Sequence, residues 1–231
     1  MQMDNNFSYI SENLRVIRER AGEAAAKAGT SPRIMAVTKT VEPEKINFAV
    51  SQGITLLGEN RVQEFLSKQE SYDSSAEVHF IGHLQTNKVK YIIGSVTMIH
   101  SVDSVKLASE ISRISLARGL VTDVLCEVNI GGEDSKSGVA PGELRALLRE
   151  ISALEGIRVK GLMTIPPPTD SDIYLCRMEE LFNRVKSENI PGITMEELSM
   201  GMTHDYAEAI AHGSTIVRIG TGLFGARDYS K

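Results

Sequence analysis

The chain has no run of about 18 apolar residues, so no membrane-spanning helix is expected. Its first segment, MQMDNNFSYISENLRVIRER, lacks the apolar stretch of a secretory signal. Only two cysteines are present, Cys126 and Cys176, with neither a CxxC pair nor zinc spacing. Both lie beside apolar residues and are expected as small buried thiols. Basic residues are in deficit, 25 Lys plus Arg against 30 Asp plus Glu, for a net charge of −5. That balance argues against a general nucleic-acid surface, which needs a basic excess on one face. No Walker motif and no GxGxxG fingerprint occur. No Ser-, Gly- or Pro-rich tract divides the chain. Together these absences predict one domain over residues 1–231, soluble and at home in a reducing cytoplasm.

What is present is a rhythm. Ile10, Leu14, Ile17, Ala21, Ala24 and Ala28 recur at three and four, which predicts an opening amphipathic helix. Ser8 is placed to cap it and Gly29 to end it. Apolar strand-like runs then alternate with helical stretches. The strands are Ile34–Thr38, ITLLGEN, EVHFIG, VTMIHSVD, VTDVLCEVN, IRVKGLM, the middle of MEELSMGM, and STIVRIGTG. Helices are expected from Pro43, over Arg61–Lys68, near LQTNKVKYI, over Ser104–Ala117, around Leu144–Ile151, over Ile173–Lys186 and over His204–Ala211. Eight strands alternating with helices predict an α/β fold, a single (β/α)8 TIM-type barrel with an extra N-terminal helix. An open doubly wound sheet is the competing arrangement. LFGARDYSK reads as a tail, and IGGEDSKSGVAPG as an irregular glycine-rich loop.

In such a barrel the C-terminal strand ends converge on one mouth, where chemistry is built. The polar exits are Thr38-Lys39, Glu59-Asn60, His79 with Gly82-His83, His100, Asn129, Met163-Thr164, Ser199 and Gly220-Thr221. Lys39 follows a buried strand directly, so its root is rigid while its amine points into the mouth. An exposed lysine at a strand exit is the ordinary alternative. Gly220 and Gly222 bracket Thr221, which lets backbone approach an anion, or simply makes a turn. Arg218 is either a fixed donor in the mouth or an arginine paired at the rim. His79 and His83 are four apart, but Gly82 breaks the path between them, so metal ligation is disfavoured. Glu59, Asp103 and Asp205 read as acids, rim residues or caps. Lys136, Lys88 and Lys90 read as solvated charges or as contacts for a transfer partner.

The exits also carry a familiar order of motifs: AVTKT, LLGENRVQEF, HFIGHLQTNKVK, IHSVD, VNIGGEDSKSG, GLMTI, LSMGMTHDYAEAI and GSTIVRIGTGLFG. From about Arg33 to Arg227 the chain resembles the pyridoxal phosphate homeostasis protein family, related to the barrel domain of alanine racemase. The resemblance implies a barrel that holds pyridoxal 5′-phosphate (PLP) as a Schiff base on Lys39. It gives Ser199, Gly220 and Thr221 to the phosphate and sets Arg218 against the pyridine nitrogen. Asn60, His79 and His83 fall in motifs around the mouth and are carried over as pocket-lining residues. Two positions depart from the family pattern: Val78 stands where many relatives have tryptophan, and TGLFG where relatives often have TAIFG.

The implied role is vitamin B6 and amino-acid/keto-acid homeostasis without strong catalysis, with apo PLP-dependent enzymes or a signalling protein as partners. The alternative is a single-domain PLP enzyme with weak racemase or lyase activity. A racemase of the related fold takes its second proton carrier, a tyrosine, from a further domain. This sequence runs only to Lys231, and Tyr9, Tyr72, Tyr91, Tyr174, Tyr206 and Tyr229 sit in no motif with that role. A monomer is expected.

Overall fold

The computed structural model describes residues 7–133 and 135–226. Its core is a closed parallel barrel of eight strands in sequence order: β1 (Arg33–Val37), β2 (Leu56–Glu59), β3 (Glu77–Phe80), β4 (Met98–Val102), β5 (Thr122–Glu127), β6 (Ile157–Met163), β7 (Ile193–Ser199) and β8 (Ile216–Ile219). β8 pairs back onto β1, with Arg218 opposite Met35. This is the expected TIM-type barrel, and it excludes the open sheet. The helices are α1 (Ser8–Ala28), α2 (Pro43–Ser51), α3 (Val62–Lys68), α4 (Val89–Ile92), α5 (Val105–Ala117), α6 (Leu144–Ile151), α7 (Ser171–Ser187), α8 (Tyr206–Ala211) and α9 (Thr221–Phe224).

Local chemistry explains the ends of these elements. Pro43 opens α2, where a missing N–H costs nothing. The Ser104 hydroxyl accepts from the Leu107 amide and caps α5. Gly29 closes α1 in the left-handed conformation, φ 68°, donating its N–H to the Ala25 carbonyl. The cap expected at Ser8 shifts by one residue: Phe7 holds the N-cap position and Ser8 begins the helix. Part of the expected tail is helical, as α9; the rest of it, 227–231, lies outside the described residues.

Two packing layers follow from strand alternation. Outward residues such as Ala36, Leu57, Phe80, Ile99, Val124, Leu198 and Val217 meet the helices. Inward residues fill the barrel: Met35, Val37, Leu56, Ile81 and Ile216 on one side, Met98, Leu125 and Met163 on the other. Below them Arg33 bridges Glu77 at 3.2 Å and Glu197 at 3.1 Å. Cys126 lies in the outer layer, where burial pushes its thiol up to about 12, so it is inert. Cys176 is only half-buried, unlike the expectation, because it sits on α7 beside the apolar stripe formed by Leu175, Met178 and Phe182.

Gly161 matters for the site. A Cβ there would lie 1.8 Å from the Glu197 carbonyl oxygen, so no side chain fits. Between Val159 and Gly161 the β6 register shifts against both neighbouring strands. Val159 packs outward before the shift, whereas Leu162 packs outward after it. The bulge therefore flips the strand's phase, turns Met163 inward, and sets the Thr164 carbonyl over the mouth.

Candidate functional site in the barrel mouth

Alternation carried one step past β1 turns Thr38 outward, and Lys39 follows it in the turn at the strand exit. Thr38 is anchored from behind. Its amide reaches the Gly58 carbonyl at 3.1 Å, and its hydroxyl donates to Glu59 Oε1 at 2.5 Å. Tyr72 OH donates to the same oxygen at 2.5 Å. Burial raises the Glu59 carboxyl above its usual range, against these hydrogen bonds and nearby Lys68, which lower it. Glu59, expected as an acid or rim group, is thus a fully buried brace behind Lys39. Lys39 itself is half-buried, and the next residue, Thr40, takes φ 61°.

The opposite side of the mouth is built by β7 and β8. Arg218 points inward, 4% exposed. Its Nη1 donates to the Ser199 carbonyl at 2.7 Å and to Ser199 Oγ at 2.8 Å, and its Nη2 donates to the Thr164 carbonyl at 2.7 Å. An arginine has five N–H donors, so two stay uncommitted by these bonds. Burial lowers Arg218 to about 10, opposed by Glu127 and Asp205, and it remains a cation at neutral pH. The Arg218 amide ties to the Gly201 carbonyl at 2.9 Å, and the Gly222 amide to Thr203 Oγ1 at 3.1 Å. Those two bonds hold the β7 exit against the β8 exit, bringing Ser199, Gly220 and Thr221 together. Gly201, at φ 90°, must lack a side chain, because a Cβ would meet Ala209 Cβ at 2.5 Å.

Asp205 holds that turn by accepting from the Met202 amide at 2.7 Å.

A cleft of about 1040 Å³ opens over the β1, β2 and β3 exits, lined by Thr40, Asn60, Arg61, His83, Lys88 and Phe224 among others. Asn60 Oδ1 is buried there without a protein partner among the described residues. His83 stands on the rim, exposed, 3.5 Å from Ser137 Oγ and 4.0 Å from Asp103. His79 does not line the cleft. It is buried within the barrel, its Nδ1 2.9 Å from His100 Nε2. Among the described residues no cluster of three or more His, Cys, Asp or Glu is placed to hold a metal.

Two features went unread in the sequence. His100 appeared only as a polar exit, yet its Nδ1 lies 3.1 Å from Ser199 Oγ, which makes it part of the site. Glu127 was not singled out. Leu125 is inward, so Glu127 is inward too, and it is 7% exposed. Burial and the neighbouring Asp103 push its carboxyl up to about 7, against the pull of Arg218. The signal was a lone acid closing the apolar run VLCEVN on the inward phase.

The residues present fit a phosphorylated aldehyde. A half-buried lysine follows one strand, a buried cation and a hydroxyl lie on β8 and β7, and an unpartnered amide oxygen lies at the β2 exit. β7, β8, β1 and β2 are consecutive in the closed barrel, so these groups share one half of the mouth.

Comparison with known proteins bears on the whole chain. Residues 6–228 match the family model described as alanine racemase, N-terminal domain. A protein of Aquifex aeolicus named pyridoxal phosphate homeostasis protein is 45% identical over 226 residues, covering 94% of this chain and 98% of that one. Its Escherichia coli K12 namesake is 37% identical over 233 residues, 96% of this chain and 98% of that one. The solved structure of PipY from Synechococcus elongatus with PLP bound superposes with a TM-score of 0.82 at 30% identity, over 94% of this chain and 100% of that one. Alanine racemase from Corynebacterium glutamicum shares the fold, with a TM-score of 0.76 at 17% identity over 96% of this chain and 62% of that one. The chain belongs to the alanine racemase N-terminal domain family, among its pyridoxal phosphate homeostasis proteins.

Proposed function

We infer that this chain binds pyridoxal 5′-phosphate through a covalent link to the Lys39 amine and serves in vitamin B6 and amino-acid/keto-acid homeostasis. The observation that supports the reading is the position of Lys39 in the chain, two residues past the end of β1, next to the strand that carries Arg218 and leads into Gly220-Thr221. When bound, the cofactor supplies a carbonyl that condenses with an amine and a ring that accepts electrons. The protein's own contribution is positional. Glu59, Thr38 and Tyr72 brace the root of Lys39. Ser199, Gly220 and Thr221 are assigned to the phosphate, Arg218 to the ring nitrogen, and Asn60 and His83 to the cleft wall. His79 acts from the layer below.

Weak catalysis follows from two features. Arg218 is a fixed cation and donor, so a ring nitrogen facing it stays unprotonated, and the ring is a weaker electron sink. Among the described residues no tyrosine lines the cleft to serve as a second proton carrier. On this reading residues 1–231 act as one unit, a monomer that hands the vitamer to apo-enzymes or reports it to a signalling partner. No described helix is long and apolar enough to cross a membrane.

The test is reduction. Purified protein supplied with PLP should show one absorbance band from the linked cofactor, and borohydride should fix it on Lys39 as the sole modified peptide. Lys39→Ala should lose both band and adduct. Labelling of another lysine, or of none with PLP in excess, ends the proposal.

A second reading, a weak racemase or lyase, rests on Glu127, a mouth carboxyl poised near neutrality and suited to proton transfer. It expects sustained turnover of one amino acid that falls by about a hundredfold or more in Glu127→Gln. Turnover at trace level in both proteins leaves the binding role.

A further inference from the structure

Two histidines lie one above the other inside the barrel, His79 at 1% exposure and His100 at 0%. They belong to one chain of contacts. Arg218 Nη1 donates to Ser199 Oγ at 2.8 Å; Ser199 Oγ is 3.1 Å from His100 Nδ1; and His100 Nε2 is 2.9 Å from His79 Nδ1. At the far end His79 Nε2 faces Glu77 Oε2 at 3.7 Å, and Glu77 is half-exposed at the opposite opening of the barrel. The chain thus runs from the mouth nearly to the other side. Burial keeps both rings neutral, with His79 lowered to about 3 and His100 well below its usual value.

A neutral imidazole has one N–H and one bare nitrogen. Arginine only donates. The chain therefore admits two proton arrangements. In the first, the Ser199 O–H points to His100 Nδ1, the His100 Nε2–H to His79 Nδ1, and the His79 Nε2–H towards Glu77. All dipoles then run from the Arg218 cation towards the Glu77 carboxylate, which favours this arrangement, although Arg33, 3.2 Å from the same carboxylate oxygen, offsets part of that pull. Ser199 offers a ligand nothing but lone pairs. In the second, His79 Nδ1–H donates to His100 Nε2, and His100 Nδ1–H donates to Ser199 Oγ. The Ser199 O–H is released to turn outward, and an anion there would favour it.

We propose that His100, backed by His79, is the positioning residue that sets whether the Ser199 hydroxyl can donate to an anion in the mouth. The proposal rests on the reading of Ser199 as a phosphate contact. Conversion between the two arrangements balances with one proton in and one out. Ser199 passes its proton to His100 Nδ1 and takes another from the phosphate monoanion or a water. The His100 Nε2 proton passes to His79 Nδ1, and the His79 Nε2 proton leaves past Glu77 to solvent. A phosphate monoester has its second pKa near 6, so the exchanged proton is available from the ligand itself. The chain's own charge is unchanged.

The experiment uses the full chain with PLP and with pyridoxal, which carries the same aldehyde but no phosphate. Imidazole nitrogen NMR of the wild-type protein should show His100 as the Nε2–H form alone and with pyridoxal, and as the Nδ1–H form with PLP. His100→Phe removes the acceptor that holds the Ser199 proton, while Arg218 still donates to Ser199 Oγ, so it should tighten PLP binding by about two- to tenfold, the net worth of a hydrogen bond, and leave pyridoxal binding unchanged. His100→Gln, whose side-chain oxygen can again accept from Ser199, should return PLP binding towards the wild-type value. An unchanged His100 tautomer on adding PLP overturns the proposal, as does a loss of PLP binding, or an equal change for both ligands, in His100→Phe. If His100→Phe does not fold, the tautomer measurement decides alone. Failure of wild-type protein to bind either ligand would instead overturn the cofactor reading itself, and this proposal with it.

Discussion

Arg218→Met should lower the stability of the barrel by about 3–5 kcal/mol at neutral pH, a fall in melting temperature of roughly 10 °C. The groups left behind set the size of the loss. Replacing a whole buried ion pair by apolar groups is often harmless, but removing one member strands the other. Here the Thr164 carbonyl loses the donor set over it, and Ser199 loses the donor to its hydroxyl. The inward Glu127 loses the cation that restrains it. The Ser199 carbonyl keeps the Thr164 amide at 3.1 Å, so the β6–β7 ladder itself survives. Arg218→Lys should fall between the two, since a lysine restores charge without the planar fork that serves two strands at once. Thermal melts of the three proteins at pH 7 check this. A loss below about 1 kcal/mol in Arg218→Met would mean that the guanidinium is not what joins the β6, β7 and β8 exits.

The sequence carried the fold because apolar runs and helical spacing alternate eight times without interruption. It singled out Lys39 as a candidate because a lysine follows a buried strand directly, and Arg218 through the VRIG motif of the family it resembles. It did not carry the strand phase where bulges intervene. At β4 the register shifts between Ile99 and Val102, and at β6 it shifts around Gly161, so period-two counting from either end misplaces part of each strand. The His79–His100 contact joins residues 21 apart on neighbouring strands, and His100–Ser199 joins residues 99 apart across the barrel. Such pairings depend on barrel closure and depth, which no local pattern states. His79 and His83, close in the chain, end up in different layers for the same reason: one is on the inward face of β3 and the other on the loop beyond it. Glu59 went the other way, from a rim candidate to a buried brace, because it faces outward from β2 beneath Tyr72.

Glu127 should make the protein less stable as pH rises from about 4.5 to about 7, and Glu127→Gln should remove that dependence. The unfolded chain gives up this proton near 4.5, whereas the folded protein holds it to about 7. Between those values the native state binds more protons, so stability falls with increasing pH; below 4.5 and above 7 the contribution is flat. A gap of about 2.5 units is worth about 3 kcal/mol at most. Burial is the first cause and Asp103 adds to it, while Arg218 holds the rise in check. Glu127→Gln keeps shape and hydrogen-bonding capacity but never ionises. Its melting temperature should match that of the unaltered protein near pH 5 and exceed it by roughly 5–10 °C at pH 8. An offset that stays constant from pH 5 to pH 8 would show that the residue is not titrating in this window. The expected curve has a functional meaning as well. A buried carboxyl that lowers stability at neutral pH, kept beside a cation it only partly satisfies, reflects tension between holding the fold and furnishing the mouth with a group able to exchange a proton. In Arg218→Met the restraint disappears, so the same pH window should extend upward, and the double variant with Glu127→Gln should regain part of what Arg218→Met loses.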